Sequence, residues 1–351
     1  ARLTGLVLLY CALLSGCDSA QWNNPYPASQ QGDNILFSSF SSRPKHLDPV
    51  RAYSTNEYSF IGQIYEPALQ YHYLKHPYQL VPLTAAQMPQ LTYLDAAGRE
   101  LPADAPVETI ADSVYEVQIR PGIRYQPHPA FARDEQGALH YQQLSEDDLA
   151  DVRELGDFAH TGSRELVAAD YVYQIKRLAH PRLHSPIQGL MNEHIVGLKA
   201  YADTLAEAYA AQIEQDPSQR WLDLRQFDLQ GVEVVDDYTY RIRIHGKYPQ
   251  LHYWLAMPFF APMPWEAERF YAQPGMQERN ISLDWYPVGT GPYMLTVNNP
   301  NRQMILERNP YFHPQHYPTE GDPGDAEPVS YTHLTLPTIV RECRSRWSPG
   351  H

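Results

Sequence analysis

The sequence predicts an α/β protein, on three observations. Val114–Ile119 and the two runs flanking Asp236-Asp237 within Val232–Ile244 alternate apolar and polar residues, the period-two signature of half-buried strands. Ala168–Leu178 repeats apolar residues at helical spacing, with Asp170 in its first turn and Lys176 and Arg177 in its last, as the helix dipole favours. A chain of 351 residues that is 43% hydrophobic and 19% charged carries enough apolar surface for a packed core. The 31 prolines favour turns and edges, and the 26 tyrosines offer apolar rings with polar tips. Both suit a loop-rich protein with a wet cleft.

Taken in order, Ile35–Phe40 reads as a strand and His46–Pro49 as a loop. Asn56–Leu69 places Tyr58, Ile61, Ile64, Tyr65 and Leu69 at helical spacing, which predicts a helix over the whole run. Tyr71–Leu83 alternates but contains Pro77 and Pro82, so it predicts edge strands. Arg120-Pro121-Gly122 is the turn after the Val114–Ile119 strand. Pro127–Glu165 is polar and acidic and predicts a surface insertion. Its Glu146-Asp147-Asp148 run reads as a solvated face rather than an acid–base pair. His180-Pro181 ends the 168–178 helix, and Ile195–Ile213 predicts another. Leu251–Phe260 is apolar and aromatic. Met294–Val297 and Met304–Glu307 are strands around Asn298-Asn299-Pro300. No internal repeat is present.

The termini read differently from the body. Leu3–Gly16 is an apolar run of about fourteen residues, the length of a signal-peptide core and short for a bilayer of ~30 Å. It ends Leu14-Ser15-Gly16-Cys17, which resembles the bacterial lipoprotein signal, so residues 1–17 are expected to be a signal ending at a lipidated Cys17. Acyl chains stabilise membrane attachment by ~0.8 kcal/mol per buried CH₂. Asp18, directly after it, resembles an inner-membrane retention signal. Residues 18–34 read as a polar tether. At the other end, Val329–Thr338 resembles the translation of a sequencing adapter, and residues 329–351 are expected to be foreign.

Composition and motifs narrow the function. The formal charge of −14 disfavours nucleic acid as a partner. The three cysteines, Cys11, Cys17 and Cys343, leave the body without a disulfide framework or a cysteine metal site. The chain has no Gly-x-Ser-x-Gly, His-Glu-x-x-His or phosphate-loop motif, and Gly289-Thr290-Gly291 lacks the lysine of the last. His72 and His76 are four apart, but on an alternating segment beside Pro77 that spacing does not form a helical metal pair. No enzyme, cofactor or metal is expected.

The ordered segments Leu47-Asp48-Pro49, Ile64–Pro67, Val81–Leu83 with Ala85-Ala86, Val114–Tyr125, Val167–Tyr173, Gly231–Thr239, Pro287–Tyr293 and Leu306–Tyr311 together resemble the oligopeptide, dipeptide and nickel family of solute-binding proteins of ABC importers. The likeness covers about residues 35–320. Pro287–Tyr293 followed by Glu307–Tyr311 is its most specific part. The family's Asp-Gly turn after the Val114–Tyr125 segment is replaced here by the 127–165 insertion. The resemblance implies a periplasmic-binding-protein-like two-lobe α/β clamshell of the large class II type, with the second lobe mostly missing. Lobe I would comprise 35–66 and 271–328, interrupted by an α/β insert at 67–270. It further implies capture of an oligopeptide or other extended solute at the periplasmic face of the inner membrane, hinge closure, and delivery to an ABC permease and ATPase. Nickel complexes, sugars, or a signalling or chaperone role are the alternatives. Matching the motifs places Tyr53, Ser54 and Thr55, and Ile187, against the ligand.

Overall fold

The computed structural model describes residues 34–40, 42–315, 318 and 339–344. Cys11, Cys17, Asp18 and the tether up to residue 33 lie outside the described residues, as does most of the 329–351 tail. Two larger sheets and a short hairpin organise the rest. The hairpin joins β2 (Leu69–Tyr71) to β3 (Leu80–Pro82), with Leu69 opposite Pro82. A five-stranded antiparallel sheet runs β5 (Glu100–Leu101), β4 (Gln90–Leu94), β6 (Asp112–Gln118), β8 (Thr239–His245), β7 (Val232–Asp236). A four-stranded sheet runs β1 (Ile35–Phe40), β11 (Ile339–Arg344), β10 (Gln303–Arg308), β9 (Tyr293–Asn299).

The strand alternation predicts the buried face correctly. In β6, Ser113, Tyr115 and Val117 are buried, while Val114 and Glu116 turn to the open side. Their partners on β8 are Ile244, Ile242 and Tyr240, which bury the same face. Against it lies helix α2 (Ala168–Arg177), whose Tyr171 stacks on Tyr240 with ring centroids 5.1 Å apart. One hydrophobic core then continues from Phe40 to Leu306, across the expected boundaries at 66/67 and 270/271.

Three expectations need correction. The helix expected over 56–69 is α1, Thr55–Ile61 only. The chain leaves it because the carbonyls of Gln63 and Ile64 accept from the amides of Tyr293 and Gly291, at 3.1 and 2.8 Å. The helix expected over 195–213 starts three residues later, as α4 (Leu198–Gln215), and a separate short helix, α3 (Gln188–His194), precedes it. Gly197 sits between them at φ +74°, a conformation open to glycine, and Val196 pairs through its amide with the Arg243 carbonyl instead. The 127–165 segment is not a surface insertion throughout: His128, Phe131, Leu149, Val152 and Phe158 are buried, while the residues between them, the 146–148 charge run included, are mostly exposed as expected. Apolar residues spaced through a polar stretch anchor it to α6 (Trp265–Tyr271), where Phe158 meets Phe270 at 5.0 Å.

His128 gives this segment a pH dependence. Its Nδ1 accepts from the Ala130 amide at 3.0 Å and its Nε2 meets the Tyr271 hydroxyl at 2.7 Å. That hydroxyl donates to the Tyr286 carbonyl at 2.6 Å, which leaves Nε2–H to donate to Tyr271. Burial pushes His128 down to about 3, and burial likewise pushes His180 down to about 4. Below an unfolded value of ~6.5 the unfolded chain binds these protons first. Stability from both rings is therefore complete above that pH and is lost as pH falls toward 4 and then 3, at ~1.4 kcal/mol per pKa unit. Urea midpoints should be flat above pH 7 and fall from pH 6.5 to 4, less steeply in His128→Gln. A flat wild-type profile across that range would contradict this.

Candidate functional site

The loop that precedes α1 is fastened from inside. Ser54 is the N-cap and its hydroxyl accepts from the Glu57 amide, while the Glu57 carboxylate reaches back to the Ser54 amide at 2.9 Å, a complete capping box. The same carboxylate accepts from the amides of Tyr53, His46 and Lys45 at 2.8, 3.0 and 3.3 Å. Burial opposes the Glu57 charge, yet these donors outweigh it and hold the carboxyl below its ordinary value. The segment 45–54 is thus pre-shaped around one carboxylate.

Its outer surface presents the residues expected to face a ligand. Tyr53 is 72% exposed and leans on the buried Phe259 with ring centroids 6.1 Å apart. Ser54 and Thr55 are also exposed, although the Ser54 hydroxyl is already engaged as the cap. Ile187 is elsewhere and is corrected. It is 3% exposed, inside the core at the start of α3, so its apolar side chain contributes packing rather than a surface.

Beside the Tyr53 loop runs a groove of about 590 Å³. Small or flat residues, Gly62, Pro67, Ala256 and Pro258, are part of its lining. Its walls are tyrosines that the sequence did not single out: Tyr58 from α1, and Tyr71, Tyr73 and Tyr78 from the β2–β3 hairpin. All four are exposed. Tyr253, on α5 (Leu251–Trp254), extends the wall, stacked on Tyr71 at 6.4 Å with planes 21° apart. The Tyr71 and Tyr78 rings meet edge to face at 6.1 Å. The sequence signal available was the cluster of tyrosines at 71, 73 and 78 in the segment that forms the β2–β3 hairpin.

A separate crossing fixes the groove's base. Gly289 and Gly291 pass over Ile64, and an added Cβ at Gly289 would lie 1.9 Å from the Ile64 carbonyl oxygen. Glu66, 4% exposed, accepts from the Thr290 hydroxyl at 2.8 Å and meets His313 Nε2 at 2.9 Å. The sequence pairs Ile64–Pro67 and Pro287–Tyr293 are therefore two halves of one structural joint. Among the described residues no cluster of three His, Cys, Asp or Glu side chains could hold a metal, and no helix is long and apolar enough to cross a membrane.

A family model for bacterial extracellular solute-binding proteins, family 5, middle region, matches residues 160–339. The chain belongs to this family. As a family 5 solute-binding protein it shares its fold with solved relatives of low identity. The Escherichia coli murein tripeptide binding protein MppA is 16% identical with a TM-score of 0.50, over 88% of this chain and 42% of that one. Listeria monocytogenes OppA bound to peptide is 14% identical with a TM-score of 0.50, over 90% and 43%. The pheromone receptor PrgZ is 13% identical with a TM-score of 0.51, over 89% and 43%. The family 5 chain thus spans less than half the length of these structures and carries part of their two-lobe α/β fold. The search of curated proteins gives no match.

Proposed function

We propose that this chain is the capturing part of a solute-binding lipoprotein that takes up peptides, or a similar extended solute, for an ABC permease and ATPase. The observation that supports this best is the tyrosine-walled groove beside the pre-shaped Tyr53–Thr55 loop, in a family of extracellular solute-binding proteins. Its volume is within the range of small-molecule sites, roughly 300–1,000 Å³. Two of the similar structures are named for peptide binding, a murein tripeptide in one and a bound peptide in the other. Capture proceeds by a population shift between open and closed lobes, with no bond made or broken. In this reading 67–270 acts as an α/β insert in lobe I, and Cys17 carries the lipid at the periplasmic face of the inner membrane. Fatty-acid labelling should mark the wild type and not Cys17→Ser.

Native mass spectrometry of the complete gene product purified from its host tests the function. The expected result is an unmodified peptide released on denaturation, together with loss of its uptake when the permease is deleted. A hydrolysed product, or uptake that is independent of this protein, would overturn it.

A further inference from the structure

Resting on the peptide reading, we infer that the tyrosine groove selects for an uncharged ring on the ligand: a peptide carrying phenylalanine, tyrosine or tryptophan at the residue that enters it. The walls supply ring faces. Tyr71 and Tyr253 are nearly parallel at 6.4 Å, and Tyr78 presents its ring perpendicular to Tyr71 at 6.1 Å, so stacked and edge-on contacts are both on offer. Tyr58 and Tyr73, 54% and 56% exposed, close the sides.

The charge pattern points the same way. In a chain with a formal charge of −14, the groove lining contains no Lys, Arg, Asp or Glu. Apart from the tyrosines its titratable residue is His72, whose Nδ1 already accepts from the amides of Leu74 and Lys75 at 3.2 Å each. A charged ligand side chain would lose water there without gaining a counter-charge. A neutral ring loses little and gains contact area. Each ring pair contributes roughly two- to tenfold in affinity.

The test is calorimetry on the complete gene product with four tripeptides: Ala-Ala-Ala, Ala-Phe-Ala, Ala-Glu-Ala and Ala-Lys-Ala. Ala-Phe-Ala should bind at least about tenfold more tightly than the other three. Tyr71→Ala and Tyr253→Ala should shrink that preference to within about twofold, and Tyr71→Phe, which keeps the ring, should retain it. Equal binding of all four would overturn the ring preference and leave the peptide reading intact. Binding of none, with a sugar or other solute bound instead, would overturn both. If the alanine variants unfold more readily while the preference persists, the rings pack against the remainder of the protein and the inference fails.

Discussion

Gly289→Ala is expected to destabilise the protein by at least ~3 kcal/mol, the upper end of ordinary overpacking costs. The new methyl carbon would sit 1.9 Å from the Ile64 carbonyl oxygen and 2.6 Å from its carbonyl carbon. These are backbone atoms, so no side-chain rotation relieves the clash. Moving the Ile64 carbonyl also breaks its 2.8 Å bond from the Gly291 amide and disturbs the Glu66–Thr290 pair beside it. Gly189 provides the contrast. It lies inside α3, a Cβ there meets nothing within 4 Å, and Gly189→Ala should be neutral or stabilising by up to ~1 kcal/mol. Urea unfolding of both variants separates the two outcomes, and a Gly289→Ala protein as stable as Gly189→Ala would refute the joint.

Arg177→Ala should cost ~3–5 kcal/mol, the usual penalty for removing one partner from a buried ion cluster. Arg177 is fully buried. It donates from Nη1 and Nη2 to the two Asp48 oxygens at 3.0 and 2.6 Å, from Nη1 to Gln174 at 2.8 Å, and from Nε to Glu268 at 3.0 Å. Burial opposes its charge, but Asp48 and Glu268 outweigh that and keep the guanidinium protonated well beyond its ordinary range. Removing it leaves two carboxylates, 3% and 5% exposed, facing each other without a cation. Arg177→Lys should recover only part of the loss, because an ammonium cannot bond both Asp48 oxygens and Glu268 in one plane. Equal stability of wild type and Arg177→Ala in denaturant titration would contradict this.

The local patterns on which the fold rests are readable in the sequence, and the long-range pairings are not. Alternation in Val114–Ile119 and in the second half of Val232–Ile244 identifies β6 and β8 because one face of each is buried, whereas β7 at the sheet edge is exposed along most of its length. Nothing local says that Asp48 meets Arg177, or that Glu66 meets Thr290, since each pair is more than 100 residues apart. The helix end at Gln63–Ile64 and the helix start at Gly197 were misplaced for the same reason: backbone groups there bond to distant segments instead of extending the turn. In the proposed site, the Tyr53–Thr55 loop is suggested by a motif. The walls are not, because an isolated tyrosine reads as a core-margin residue until the β2–β3 hairpin and the 251–258 segment bring several together. Ile187 shows the opposite limit, in that a motif locates a loop but does not say which way its side chains turn.

The most direct test of the central claim, that a peptide is captured on this face, is hydrogen–deuterium exchange of the complete gene product with and without saturating Ala-Phe-Ala. The account predicts ligand-dependent protection within 53–62, 69–82 and 251–258, the segments that form the loop and the groove. Protection confined to other segments, such as the open face of the β4–β6–β8 sheet, with none in these three, would contradict it.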